Sequence, residues 1–165
     1  MAMSPTITID TADGSFDAYL ALPKNAARPV PAIIVVQEIF GVNADLRATC
    51  DELASQGYIA VSPDLFWRQE AGVDLTDQTD AEWQKGMALY QAFDLEAGIA
   101  DIGATLKAAR SRADASGKVG LMGFCLGGLL TFLATCVGAS MRRSAIMAAV
   151  PKSISTLPAK FEVRF

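Results

Sequence analysis

The stretch Pro31-Ala-Ile-Ile-Val-Val36 is apolar at consecutive positions and is bounded by residues that favour turns. A strand with one buried face alternates polar and apolar side chains, so an unbroken run of this kind needs apolar cover on both faces. Tyr58 to Ser62, closed by Pro63, and Lys118-Val-Gly-Leu-Met122 read as further buried strands. Helical patterns lie between and after them. Asn43 is a good N-cap, Leu46, Cys50 and Leu53 share one helical face, and Gly57 supplies the stop. Residues 80–110 are helical in pattern with a break expected near Asp94 to Gly98, and Leu126 to Ala134 is a strongly apolar helix. Strands alternating with helices predict an α/β fold, a doubly wound and mostly parallel sheet covered on both faces. Ahead of this pattern, Thr6 to Ile9 and Phe16 to Leu22 alternate around Ala12-Asp13-Gly14 and read as an antiparallel hairpin at a sheet edge. Residues 64–79 read as a loop.

Composition narrows the partners. The chain has 165 residues, 52% of them hydrophobic and 19% charged, which suits one domain with a substantial core. A net charge of −4 without a Lys/Arg cluster gives no footprint for nucleic acid or an anionic membrane, so a small molecule is the expected partner. The N-terminus shows no secretory signal and no run is long enough to span a bilayer, so the cytoplasm is the expected compartment. Cys50, Cys125 and Cys136 are odd in number and lack C-x-x-C spacing, so no disulfide framework, metal site or cofactor is expected.

Gly123-Phe124-Cys125-Leu126-Gly127, followed by Gly128, joins a buried strand to an apolar helix. A strand that turns sharply into a helix needs glycines where backbones approach, and it thrusts the middle side chain out at the C-terminal edge of the sheet. There Cys125 would be a nucleophile, with the Leu126 N–H as an oxyanion donor and the helix N-terminus favouring thiolate. The bare pattern serves equally a strand–helix packing with Cys125 as a small core residue, and the strand and helix context tips the reading towards chemistry. Glu38, just after the first buried strand, would reach the same edge, with the Ile39 N–H as a second donor. As a plain solvated residue it would need no such place. The chain contains no histidine, the usual base for a thiol nucleophile.

Four blocks together resemble the dienelactone hydrolase (carboxymethylenebutenolidase) family: V-V-Q-E-I-F-G-V-N (35–43), S-P-D-L-F-W-R-Q (62–69), Q-A-F-D-L-E-A-G (91–98) and K-V-G-L-M-G-F-C-L-G-G (118–128). The resemblance covers roughly residues 5 to 135. It implies an α/β-hydrolase-like sheet, and a Cys–His–Asp triad that opens an unsaturated lactone or ester during degradation of aromatic compounds. It also implies that a glutamate at the position of Glu38 exchanges a proton with the resting thiol. Cys125 and Glu38 match. The family's carboxylate-binding arginine corresponds to Trp83 and its nearby tyrosine to Met87, and Lys85 offers a point charge in place of a guanidinium fork.

In this fold the triad acid and base follow the nucleophile, yet after Cys125 the sequence holds neither Asp nor His. Met141 to Val150 lacks the expected next strand, and read one base earlier with permissible codons it resembles the family's strand and turn. The expectation is a partial hydrolase domain over 1–140, incomplete at its C-terminal side, and an aberrant, frameshift-derived tail over 141–165. Such a sheet would leave an uncovered edge that invites oligomerisation or aggregation. Function then divides between an impaired lactone hydrolase and an inactive fragment or small-molecule binding module, with a redox-sensing thiol as a third reading.

Overall fold

A computed structural model describes residues 6–24 and 29–138. Its elements are β1 (Thr6–Thr11), β2 (Gly14–Ala21), β3 (Val30–Val36), α1 (Ala44–Ser55), β4 (Ile59–Pro63), α2 (Asp80–Gln91), α3 (Leu95–Arg110), β5 (Ala115–Gly123) and α4 (Leu126–Gly138). The strands form one sheet in the order β1-β2-β4-β3-β5. The unbroken apolar run is the central strand β3, parallel to β4 on one side and to β5 on the other. Its side chains divide between the two faces. Ile34 and Val36 join the larger core with Ile59, Val61, Ile102 and Leu130, whereas Val35 joins Leu46, Cys50, Ala54 and Ala60 beneath α1. This division is why the strand shows no polar alternation.

The expected hairpin is present, with β1 and β2 antiparallel, and β2 docks antiparallel on β4. The described sheet is therefore a parallel centre with an antiparallel flank. Local caps set the helix bounds. Asn43 Oδ1 accepts from the Leu46 N–H at 3.1 Å, and Gly57, at φ 96, follows the end of α1. The break in 80–110 falls at 92–94, just ahead of the expected place. Asp94 Oδ1 accepts from the N–H groups of Glu96 and Ala97 and starts a new helix there.

The segment between β4 and α2 has no regular structure but is firmly held. Leu65, Phe66, Val73 and Leu75 are buried, the Asp64 carboxylate accepts from the Phe66 and Gly72 N–H groups, and the Leu75 N–H reaches the Phe40 carbonyl. A side-chain network ties it to α3. Asp101, 1% exposed, accepts from Trp67 Nε1 and from both Nη atoms of Arg68, and Arg68 also reaches Asp13 in the hairpin turn. Asp101→Ala would strand a partly buried indole N–H and release the guanidinium, so a loss of about 2 kcal/mol in urea unfolding is expected. Asp101→Asn, which keeps an acceptor, should lose less.

Among the described residues β5 is hydrogen-bonded as a strand only to β3. The tail expected to leave that flank bare, residues 141–165, lies outside the described residues.

Candidate active site

The end of β5 and the start of α4 meet in a turn that only glycine permits at two places. A Cβ on Gly123 would lie 2.5 Å from the Gly127 carbonyl, and a Cβ on Gly127 would lie 2.2 Å from the Val36 oxygen and 2.7 Å from the Gln37 oxygen. Gly127 thus lets the first turn of α4 sit against the end of β3. Between them Cys125 adopts φ 53, the one non-glycine residue with positive φ among those described. Its carbonyl accepts from the Leu129 N–H at 3.1 Å, so Cys125 caps α4 while its side chain stands exposed. Leu126 is the first residue of α4, where helix N–H groups have no intrahelical acceptor. Cys50 is different in kind: it is buried, and its thiol is pushed up to about 12 by burial and then by Asp51.

Strand register places the carboxylate. Val36 lies opposite Gly123 in the parallel β3–β5 pair, and Glu38 and Cys125 each follow two residues later. They therefore leave adjacent strands at the same edge of the sheet, strands being about 4.8 Å apart. No hydrogen bond joins the Glu38 carboxylate to the Cys125 sulfur. Glu38 is half-buried, and desolvation raises its pKa above the ordinary 4.5, with the charges of Asp45 and Asp77 acting the same way. A folded-state pKa above the unfolded value means that the fold binds the extra proton. The contribution is complete below the unfolded pKa and is lost as pH rises through the raised one. Glu38→Gln should therefore flatten this part of the stability–pH curve and leave the protein a few degrees more heat-stable at neutral pH, as measured by thermal melts across pH.

The segment that follows Glu38 is pinned from two sides. At Gly41, φ 78, a Cβ would fall 2.0 Å from the Val73 oxygen, and at Gly86 of α2 a Cβ would fall 2.9 Å from the Ile39 oxygen. Ile39 is buried, and Phe40 meets Trp83 edge-on at 5.2 Å between ring centroids. Trp83 and Met87, one turn apart on α2, are 46% and 38% exposed. Lys85 projects about 200° around the helix from Trp83, where its Nζ lies 2.6 Å from Glu70. Helix geometry thus groups Trp83 with Met87 and separates Lys85 from both.

Gln37 carries a role that the sequence reading did not assign. It is fully buried, its Oε1 accepts from the Leu65 N–H at 2.9 Å, and its Nε2 has no partner. An amide at the end of an otherwise apolar strand was the available signal. A cleft of about 840 Å³ opens between the hairpin and residues 71–74, lined in part by Asp17, Tyr19, Arg47 and Asp64; neither Cys125 nor Glu38 borders it. Among the described residues no group of acidic, Cys or His side chains could hold a metal ion, and no helix is long and apolar enough to cross a membrane.

The profile of the dienelactone hydrolase family matches residues 16–156. The chain belongs to that family. Among curated relatives, the carboxymethylenebutenolidase of Pseudomonas putida is 46% identical over 133 residues, covering 80% of this chain and 56% of its own. Carboxymethylenebutenolidase 1 of Cupriavidus pinatubonensis is 37% identical over 119 residues, covering 72% and 50%. In structure, a Klebsiella pneumoniae protein assigned as a dienelactone hydrolase superposes with a TM-score of 0.68 at 32% identity, over 79% of this chain and 53% of that one. An α/β serine hydrolase without a lid, from Xanthomonas campestris, shares the fold at 18% identity and a TM-score of 0.58, over 83% and 57%. This family member spans about half the length of the relatives it matches. The family match runs past the described residues.

Proposed function

We propose that Cys125 is the nucleophile of an ester- or lactone-opening hydrolase, with Glu38 as the carboxylate that exchanges a proton with its resting thiol. The observation that carries this is the positive φ of an exposed cysteine, held by glycines that admit no Cβ. Such a conformation costs about 1–3 kcal/mol in a non-glycine residue and persists where the surroundings enforce it. In the reaction the thiolate attacks the carbonyl carbon, a C–S bond forms and the C–O bond of the lactone or ester breaks. The leaving oxygen takes up a proton, and water then cleaves the thioester. The Leu126 and Ile39 N–H groups are assigned to the oxyanion. Unsaturated lactones are the substrate class suggested by relatives named carboxymethylenebutenolidase.

The 165 residues contain no histidine, and this favours acylation without sustained turnover. p-Nitrophenyl acetate tests both parts. The expected result is a burst of p-nitrophenol equivalent to the protein, followed by a slow or negligible steady rate, with the acetyl group located on Cys125 by peptide mass. Acylation elsewhere, or no burst at all, would leave the chain as a small-molecule binding module. Steady turnover at the level of an intact triad would show that another group serves as base. The redox-sensor reading requires Cys125 to oxidise readily with dilute peroxide, and an inert thiol removes it.

A further inference from the structure

We propose that Gln37 is a positioning residue of the site, holding the end of β3 so that Glu38 and the turn at Cys125 keep their alignment. The inference rests on the reading of Glu38 and Cys125 as a working pair and adds the residue that aligns them. Strand pairing ends just short of that pair. The β3–β4 ladder stops at Ile34 opposite Val61 and the β3–β5 ladder at Val36 opposite Gly123, so Gln37 is the first residue of this edge that no ladder holds. Its side chain takes over. By the same register Gln37 stands level with Asp64, and its Oε1 accepts from the next N–H, that of Leu65, at 2.9 Å. Its main chain rests on the turn at Cys125, because a Cβ on Gly127 would lie 2.7 Å from the Gln37 oxygen. One residue thus meets the segment after β4 with its side chain, meets the first turn of α4 with its carbonyl, and carries Glu38 as its neighbour.

Stability alone does not account for an amide at this place. Gln37 is 0% exposed, and the Leu65 N–H fixes which way the amide lies, since a flipped group would set donor against donor. Nε2 is then left buried with no acceptor among the described residues. A buried donor without a partner costs more than the single hydrogen bond at Oε1 contributes. Such a group calls for a reason other than stability. Methionine would fill the same space with a similar straight chain, exchanging the stranded amide for a stranded Leu65 N–H. What it could not do is hold the end of β3 at hydrogen-bond distance from Leu65.

Alkylation of the full 165-residue chain by iodoacetamide tests the proposal, with modification read at each thiol by peptide mass. Cys136, exposed on α4, is the internal reference, and the readout is the ratio of the Cys125 rate to the Cys136 rate across pH. Glu38 titrates with Asp45 and Asp77 as the charged groups that act on its carboxyl, and a change at residue 37 alters neither. In the parent the ratio is expected to change as Glu38 gains or loses its proton, and Glu38→Gln should remove that change. Gln37→Met is expected to remove it as well and to lower the Cys125 rate at least about tenfold at neutral pH, while melting within a few degrees of the parent. Combined with Glu38→Gln it should lower the rate no further. Gln37→Asn, one methylene too short to reach Leu65, should behave like Gln37→Met and serves if the latter does not fold. Asp101→Ala, which frees the same segment from α3, should lose stability and keep the pH dependence. The proposal is overturned by Gln37 variants that keep the parent's pH dependence, by an effect that adds in full to that of Glu38→Gln, or by an Asp101→Ala protein that loses the dependence equally. Should Glu38→Gln itself leave the ratio unchanged, the pairing of Glu38 with Cys125 fails first and the positioning role falls with it.

Discussion

Gly127→Ala is expected to remove most of the protein's stability and with it the geometry of the turn at Cys125. The added methyl would fall 2.2 Å from the Val36 oxygen and 2.7 Å from the Gln37 oxygen, both backbone atoms at the end of the central strand. Neither can retreat without shifting β3 away from β5 or tilting α4. Several kcal/mol is therefore the expected loss, a large share of the ~5–15 kcal/mol that holds an ordinary domain together. Gly103→Ala is the matched control. It lies within α3, a Cβ there meets nothing within 4 Å, and the change should stabilise by about 0.5–1 kcal/mol through helix propensity alone. Urea unfolding of the two variants decides the matter: a Gly127→Ala protein as stable as the parent would mean that the elbow is not packed as described.

Cys125→Gly should separate stability from chemistry. At φ 53 an L-residue carries a penalty of about 1–2 kcal/mol that glycine escapes. Glycine is more flexible when unfolded, which offsets about 0.5–1 kcal/mol of the gain. The net expectation is a melting point equal to or above the parent's, together with loss of the acylation burst by at least about a thousandfold. Cys125→Ser keeps the strain and should melt near the parent. A Cys125→Gly protein that is clearly less stable would show that the side chain contributes packing rather than function.

Much of this arrangement was legible in the residues. The run from Ala32 to Val36 predicts a strand buried on both faces, and the two cores meet on either side of it. The spacing of Gly123 and Gly127 around Cys125 predicts the tight turn, because close backbone approach leaves a mark in residue type. Long-range docking leaves no such mark. Nothing in Phe16 to Ala21 says that β2 will lie against β4, since an antiparallel edge strand of this composition could pair with several partners. The 64–79 segment reads as a loop, yet its order comes from Asp64 tying down the segment's own backbone and from Gln37 and Asp101 reaching it from far away in sequence. Lys85 shows the same limit. Its charge is visible in the sequence, but its partner Glu70 is set by tertiary structure.

The strand order also bears on how the molecule comes into being. β3 receives β4 from the chain that follows it directly, but its other edge waits for β5, and Val36 meets Gly123 only after more than half the chain has been laid down. Contacts so remote in sequence are slow to form, because the intervening loop must close before any pairing compensates for its lost freedom. On the ribosome, the hairpin, β3, α1 and β4 can associate early while one flank of the central strand stays open. A nascent chain in that condition is a natural client for chaperones. Glu38 is in place by then, but Cys125 follows directly on the last described strand, so the proposed pair is brought together only as the sheet closes.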